Sequence, residues 1–235
     1  MNDNRPMSLQ FTIAFVFSFV CLATPSWSDY KAGKDAYDRG DYATALRELR
    51  PLAEQGNDSA QFFLGVCYAN GYGVPKNPEM AVHWYRLSAD QGNWFAQNDL
   101  GAMYQHGDGV LQDYEEAARL YRLSAKKGYV VAQSNLAAMY YDGRGVRQDQ
   151  REAFRLTTLA AEQNFGLAQR MLGIMYTDGT GIPQDNVQAH KWLNLSAAQG
   201  DKDAGTLRDW LAEKMTPDQI AEAQKLAREW KPKGK

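Results

Sequence analysis

The amino-acid sequence predicts an all-α fold, an α/α superhelix (solenoid) of antiparallel helix hairpins. A 36-residue period covers most of the chain, and each copy contains two helical patterns separated by a glycine-rich break. A fixed period of this length is typical of stacked units that bury their apolar faces against one another. The recurring positions are alanine at Ala60, Ala96, Ala132, Ala168 and Ala204, and tyrosine at Tyr68, Tyr104, Tyr140 and Tyr176.

The period also predicts how the chain is divided. We expect a signal peptide over 1–28, a shorter N-terminal hairpin over 29–56, full repeats over 57–92, 93–128, 129–164 and 165–200, and capping helices with a frayed end over 201–235. About two helices per unit makes twelve helices, and no segment has the pattern of a strand.

Within a repeat, the first helix carries its apolar residues on one face, as Ala60, Leu64 and Tyr68 do. The glycine-rich break that follows, Gly71-x-Gly73-Val74 in the first copy, is suited to ending a helix in the left-handed conformation. The second helix then opens with an acidic cap. Asp113-x-x-Glu116, with its counterpart at Asp149, predicts a capping box.

The N-terminus differs from the rest of the chain. Residues 11–23 are nearly all apolar, follow the basic residue Arg5, and lead to small residues before a cut after Ser28. This pattern predicts a signal peptide, and therefore an exported, periplasmic or secreted protein that meets the membrane only transiently. Thirteen helical residues span ~20 Å, short of the ~30 Å bilayer core, so an uncleaved anchor is the weaker alternative. Val20 before Cys21 disfavours a lipoprotein.

After that cut Cys67 is the single remaining cysteine, so no disulfide can form within the chain. Its helical surroundings predict a small buried residue rather than a reactive thiol. Nucleic acid is not an expected partner, because Lys and Arg number 26 against 28 Asp and Glu and form no basic run.

Catalytic and metal-binding motifs are scarce. His83, His106 and His190 lie in different repeats without ligand-like pairing, so we expect no metal and no cofactor. We interpret His83 and His190 as solvated and His106 as lying near a helix end. Ser124-x-x-Lys127 has the serine–lysine spacing of penicillin-recognising enzymes, but the accompanying S-D-N and K-T-G motifs are missing. We therefore predict no enzyme, with a β-lactamase-type serine hydrolase as a remote alternative.

The pattern A-x-x-x-L-G-x-x-Y-x-x-G-x-G-V, followed by an acidic cap and a closing glycine, resembles the Sel-one-like repeat (SLR) family over 57–200. Segment 29–56 looks more like a tetratricopeptide unit. The resemblance implies a curved helical scaffold for protein–protein contacts, often in bacterial envelopes. Ala137 and Asn164 depart from it by replacing glycine, and Thr157-Thr158 weakens the aromatic part of the second helix.

The same resemblance implies that the first helix of each repeat lines a concave face, where residues outside the shared pattern meet a partner. These residues are Phe62, Val66, Ala69, Asn98, Ala102, Gln105, Ser134, Ala138, Tyr141, Arg170, Ile174 and Thr177. Their mostly neutral, aromatic and amide character suits a protein or peptide of the envelope. A cell-wall polysaccharide is the alternative partner, since Tyr and Trp side chains can stack on sugars.

Overall fold

The computed structural model describes residues 27–233, and this part of the chain contains twelve α-helices and no strand. The predicted all-α class and helix count are therefore confirmed over these residues. The helices are α1 (Trp27–Asp38), α2 (Tyr42–Glu54), α3 (Asp58–Asn70), α4 (Pro78–Asp90), α5 (Trp94–His106), α6 (Tyr114–Lys126), α7 (Val130–Asp142), α8 (Gln150–Glu162), α9 (Gly166–Asp178), α10 (Asn186–Ala198), α11 (Lys202–Ala212) and α12 (Pro217–Glu229).

Consecutive helices pack as pairs, and each pair packs against the next, which is the predicted solenoid. The pairs are α1 with α2, α3 with α4, α5 with α6, α7 with α8, and α9 with α10. At the C-terminal end α11 packs against α10 in the place of a further first helix. Helix α12 also packs against α10 and closes the stack.

The five recurring alanines explain how closely the helices approach. Each of them is fully buried, with no exposed surface. The four recurring tyrosines are only half buried, and the hydroxyl groups of three of them link successive repeats. These hydrogen bonds, from arginine to tyrosine hydroxyl, are Arg50 to Tyr68 at 3.3 Å, Arg86 to Tyr104 at 2.8 Å, and Arg122 to Tyr140 at 3.3 Å.

The glycine-rich breaks end the first helices as predicted. Gly143 has φ 71° and donates its backbone N–H to the carbonyl oxygen of Met139 at 2.8 Å. At Gly145 a Cβ atom would lie 2.0 Å from the carbonyl oxygen of Tyr114, because this loop rests on the start of α6 in the preceding repeat. Only glycine permits that approach. Asn164 takes the left-handed conformation with φ 68°, as expected for a glycine substitute.

The second helices begin with the predicted N-cap residues, Asn77, Asp113, Asp149 and Asp185. The predicted capping boxes of α6 and α8 are wrong in one respect, because the glutamate of each box does not bond back to the cap. Asp113 accepts hydrogen bonds from backbone N–H groups in the first turn of α6. Glu116 does not reach back to the cap, because its carboxylate accepts two 2.7 Å hydrogen bonds from the Arg119 guanidinium. Helix α8 repeats this arrangement. A complete capping box is present in α12, between Thr216 and Gln219.

The last described residues contact the repeats. The backbone N–H of Lys233 donates to the carbonyl oxygen of Glu162 at 2.7 Å, and the Lys233 ammonium group pairs with the Glu162 carboxylate. The predicted frayed end extends to 235, outside the described residues, and stays a prediction. The Trp230 ring packs edge-on against Trp192, with centroids 5.8 Å apart. The last segment is thus bound to α8 and α10.

The predicted signal peptide over 1–28 lies almost wholly outside the described residues and stays a prediction. Among the helices of 27–233, none combines the length and the apolar character needed to cross a bilayer.

Candidate functional site: the helix-A face

The first helices of the four full repeats, α3, α5, α7 and α9, form one continuous surface, which we call the helix-A face. Neighbouring helices of this face touch through their side chains. The Phe62 and Phe95 rings join α3 to α5 with centroids 5.7 Å apart. Asn135 on α7 donates from Nδ2 to Asn98 Oδ1 on α5 at 3.1 Å. Side chains at these positions therefore lie close enough for one elongated ligand to contact several repeats.

Eleven of the twelve residues predicted to meet a partner are at least partly exposed on this face, and their role in binding stays a prediction. Tyr141 and Ala138 are the most open, whereas Phe62, Val66 and Ala69 also pack against a core cluster shared by the first and second repeats. The eleven are Phe62, Val66, Ala69, Ala102, Gln105, Ser134, Ala138, Tyr141, Arg170, Ile174 and Thr177.

The prediction that Asn98 lies at the surface is wrong, because its side chain is buried and only 5% of the residue is exposed. Its Nδ2 atom donates to Asp99 Oδ1 at 3.0 Å while its own oxygen accepts from Asn135. Burial raises the pKa of the Asp99 carboxyl group, and its interactions with Asn98 and the Tyr85 hydroxyl counteract part of that effect. A hydrogen-bonded carboxylate thus lies within the middle of the face.

Arg170, whose binding role stays a prediction, makes ion pairs within the chain. Its Nε atom lies 3.2 Å from an Asp201 carboxylate oxygen, and its Nη1 atom lies 2.6 Å from Asp203. Both aspartates belong to the start of α11. Arg170 therefore fastens the capping helix to α9.

The largest exposed aromatic group of the face was missed by the sequence-based prediction. Trp94 and Phe95, in the first turn of α5, are 43% and 40% exposed. Phe95 lies between Phe62 and Tyr129, with ring centroids 5.7 Å and 5.0 Å away. We call these four side chains the aromatic band. A usable signal was present, because no other repeat has two aromatic residues at the equivalent positions.

Farther along the face, α7 and α9 border a cavity of about 290 Å³. Three of the predicted residues, Ser134, Ala138 and Tyr141, lie on its α7 side. Leu167 and Met171 of α9, which the prediction did not include, form the opposite side. The structure therefore brings these α7 residues together around one concavity.

The helix-A face also differs in charge from the opposite layer. Helices α3, α5, α7 and α9 carry four aspartates and one arginine, a net charge of −3. The second helices of the same repeats, α4, α6, α8 and α10, carry seven Lys and Arg against six Asp and Glu. Arg170 pairs with Asp201 and Asp203, and Asp142 pairs with Arg144, so the first-helix layer keeps an excess of acidic groups over the second-helix layer, which favours a cationic ligand.

Ser124, the serine of the remote hydrolase alternative, has a structural use. Its side chain is fully buried, and its Oγ donates to the carbonyl oxygen of Trp94 at 2.7 Å. Ser88 and Ser196 make the equivalent bond in their repeats, to Asp58 and Gly166. The hydroxyl group therefore joins the second helix to the start of the first in three repeats, with or without a nearby lysine.

His190 is a further correction, since the sequence indicates a solvated residue and the side chain is 3% exposed. Burial lowers its pKa below the usual value, and the nearby Arg208 acts in the same direction. His83 is exposed and His106 is the last residue of α5, as the sequence predicts. Over residues 27–233, no three His, Cys, Asp or Glu side chains are grouped as metal ligands.

Cys67 is buried in the core, as the sequence predicts. Burial raises the pKa of its thiol to about 11, which keeps it protonated near neutral pH. Because the thiolate is the reactive form, this cysteine is a packing residue.

Comparison with protein families gives four consecutive matches to the Sel1 repeat, at residues 58–93, 94–129, 130–165 and 166–201. Each match begins one residue after the corresponding repeat boundary read from the sequence. Comparison with curated proteins gives no significant match.

Several solved structures are similar to this chain. A Sel1 repeat protein from Oxalobacter formigenes is 27% identical with a TM-score of 0.71, over 83% of this chain and 84% of that one. The protective antigen c5321 of uropathogenic Escherichia coli, which displays an SLR fold, is 30% identical with a TM-score of 0.55, over 86% of this chain and 52% of that one. The immunity protein Pa5087 of Pseudomonas aeruginosa shares the fold, at 19% identity and a TM-score of 0.53, over 87% of this chain and 80% of that one.

The repeat matches cover more than half of the chain, and they coincide with the four helix pairs from α3 to α10. The structure therefore agrees with the sequence motif in period, helix order and glycine positions. Sel1 repeats form helical scaffolds that generally mediate protein–protein interaction. This chain belongs to the Sel1 repeat family.

Proposed function

We propose that this protein is an exported scaffold or adaptor that binds a protein or peptide of the bacterial envelope on its helix-A face. Membership of the Sel1 repeat family supports the scaffold role. The apolar N-terminal stretch of the sequence supports export. The resemblance to tetratricopeptide units supports the helix-A face as the concave, ligand-binding side.

The observation that carries the proposal is the aromatic band. Trp94 and Phe95 expose two large rings side by side, and Phe62 and Tyr129 extend the apolar surface on either side. Exposed aromatic clusters mark interaction sites, because large rigid rings contribute much of the binding energy of protein interfaces. No equivalent ring pair is required by the repeat itself.

A matched control is available on the opposite layer of the molecule. Leu123 on α6 is 40% exposed, the same fraction as Phe95. Leu87 and Leu159 occupy the equivalent positions with 38% exposure each. A partner that bound the second helices would contact this leucine row rather than the aromatic band.

The proposal can be tested by photo-crosslinking in cells that express the full-length chain. p-Benzoylphenylalanine is placed at position 95 in one strain and at position 123 in another. We expect irradiation to yield a discrete polypeptide adduct at position 95 and none at 123. With the purified polypeptide, Phe95→Ala should weaken binding at least tenfold and Leu123→Ala should not. An adduct confined to position 123, or none at either position, contradicts the proposal.

Export is tested separately, by osmotic-shock fractionation and intact mass of the released protein. The expected species is the chain from Asp29 to Lys235, recovered in the periplasmic or culture fraction. Full-length protein retained in the cytoplasm would show that the N-terminal stretch does not act as a cleaved signal.

Polysaccharide binding is the second candidate, and the exposure of Trp94 and Phe95 favours it because sugar rings stack on such faces. Sedimentation with purified peptidoglycan distinguishes the candidates. If wild-type protein cosediments and Trp94→Ala does not, while crosslinking at position 95 gives no polypeptide adduct, the polysaccharide function replaces the adaptor function.

A further inference from the structure

The third full repeat departs from the others at two positions that face each other. In the remaining repeats a glycine of the first helix lies against a large side chain of the second, so closely that a Cβ atom on the glycine would come within 2.5–3.0 Å of that side chain. These pairs are Gly65 with Tyr85, Gly101 with Tyr121, and Gly173 with Leu193. The third repeat has Ala137 and Thr157 instead.

The two departures are coupled by size. A glycine is needed where a ring or a leucine fills the space between the helices, because an added methyl group would overlap it. Thr157 is much smaller than tyrosine, so the alanine at 137 fits. Both residues are buried, with 4% exposure for Ala137 and 3% for Thr157.

The shorter side chain at 157 accounts for the 290 Å³ cavity on the helix-A face. In the second repeat the Tyr121 hydroxyl donates to Gln105 Oε1 at 3.0 Å, so its ring extends toward the face. The residue equivalent to Gln105 in the third repeat is Tyr141, and it lines the cavity together with Thr157. The cavity thus occupies the direction in which a tyrosine at 157 would extend.

The residues that line this cavity favour the binding of an apolar group. We call it the Thr157 pocket, bordered by Ser134, Ala138, Tyr141, Thr157, Leu167 and Met171. Three of its rim side chains are exposed: Leu167 by 50%, and Tyr141 and Met171 by 37% each. Its volume lies at the lower limit of small-molecule sites, which suits one large side chain better than a cofactor. Methionine can adjust its shape to such a group.

The acidic groups of the helix-A face indicate which residues should flank the bound side chain. Asp142 also lines the pocket, with its carboxylate 3.3 Å from the exposed Arg144 guanidinium, and helices α3, α5, α7 and α9 together have a formal net charge of −3. An apolar side chain flanked by Lys or Arg complements both features, whereas one flanked by Asp or Glu would be repelled.

We propose that the Thr157 pocket is an anchor site for one large apolar side chain of an extended partner peptide that carries Lys or Arg beside it. This inference rests on the proposed function and specifies the chemistry of its partner. The peptide lies along the helix-A face and inserts a phenylalanine-sized group between α7 and α9.

The pocket can be blocked by a side chain of the protein itself, if the third repeat is given the glycine and tyrosine that the second repeat has at these positions. The double variant Ala137→Gly with Thr157→Tyr places a ring in the pocket and provides the glycine that the ring needs. Ala137→Gly alone is the matched control, because it leaves the pocket open. Ser134→Phe is a second blocking variant that acts from the surface, with a residue type already present at the equivalent Phe62.

Binding is followed by the methyl NMR signals of methionine in the mature protein. Three probes are used: Ac-Lys-Gly-Phe-Gly-Lys-NH2, its analogue with alanine in place of phenylalanine, and its analogue with glutamate in place of both lysines. We expect the first probe to shift the signal of Met171 and not that of Met103 in the second repeat. Its affinity should exceed that of either analogue at least tenfold, and should fall at least tenfold in the double variant and in Ser134→Phe but not in Ala137→Gly.

Different failures identify different errors. If the phenylalanine probe leaves Met171 unmoved, or binds the two blocking variants as tightly as the wild type, the pocket is not an anchor site. If chitotetraose shifts Met171 as strongly as the peptide does, the inference of a peptide side chain is overturned. The proposed function is judged independently, by the crosslinking at position 95, and it stands if that succeeds while the peptide probes fail.

Discussion

The hydroxyl group of Ser124 donates to the main-chain carbonyl oxygen of Trp94 across 2.7 Å, joining α6 to the first turn of α5. The third repeat lacks this bond, because Ala160 stands at the equivalent position. The third repeat therefore keeps the fold with alanine at this position.

We predict that Ser124→Ala lowers the free energy of unfolding by about 1 kcal/mol, the net contribution of one buried hydrogen bond. Urea denaturation measures the change, and Ser88→Ala should match it. A loss several times larger would mean that the hydroxyl supports more than this one bond. Labelling of Ser124 by a fluorescent β-lactam would revive the hydrolase alternative.

Gly65→Ala is predicted to destabilise the protein although alanine favours helices. A Cβ atom at this position would lie 2.5 Å from Tyr85 Cδ1, an overlap that costs ~1–3 kcal/mol. Better helix propensity returns only ~1 kcal/mol. We expect a net loss of up to about 2 kcal/mol.

Gly205→Ala is the matched control for the previous variant, because the nearest atom to an added Cβ there is Ala197 Cβ at 3.8 Å. It should gain up to ~1 kcal/mol. Thermal unfolding of both variants measures the difference, and destabilisation by Gly205→Ala would show that helical glycines matter here for a reason other than close packing.

Removal of the Trp230 ring should loosen the C-terminal cap. The ring packs edge-on against Trp192, which is 5% exposed. We predict that Trp230→Ala costs ~1–3 kcal/mol, from lost aromatic contact and apolar burial. Trp210→Ala, at a site 45% exposed, should cost less than ~1 kcal/mol. Equal losses of stability for the two variants would contradict a stabilising contact between Trp230 and α10.

His190 should make stability fall in mild acid. Burial, and then Arg208, hold its pKa in the folded protein below the ordinary 6.5, while Asp209 acts in the opposite direction. The unfolded chain therefore takes up a proton near pH 6.5 before the folded protein does. Stability is highest above this pH and decreases as pH falls toward the folded-state pKa.

His190→Gln should remove that part of the decrease, which is at most ~1.4 kcal/mol per pH unit. Urea denaturation at steps from pH 7.5 to pH 5 measures it, and the wild type should lose stability more steeply than the variant. His83→Gln is the control at an exposed position and should follow the wild-type curve. Parallel curves for all three proteins would refute the prediction.

The helix pairs could be predicted because their signals are local. A left-handed residue at Gly143 and a capping side chain at Asp113 each act within about one turn of the chain, and both features recur every 36 residues. Even so, the capping boxes were over-interpreted, since Glu116 had a stronger partner in Arg119 three residues away. A sequence motif indicates which hydrogen bonds can form, and a nearby charged group such as Arg119 can form a stronger one.

The candidate site was predicted less well, because exposure and pairing depend on other repeats. Arg170 pairs with aspartates more than thirty residues away, and Asn98 is covered by a bond from Asn135. Phe95 was missed because it lies in the first turn of α5, before the three positions per repeat that the prediction considered. The substitution at Thr157 was visible in the sequence, but only the structure shows that it opens a pocket.

By itself, the sequence determined the period, the order of the helices and the places where each helix begins and ends, since backbone conformation responds to nearby residues. The tertiary structure alone decided which side chains remain at the surface, that Lys233 is tied to Glu162, and that the space beside Thr157 is open. Those outcomes depend on the distances between helices of different repeats, which are set by the volumes of all the side chains packed between them.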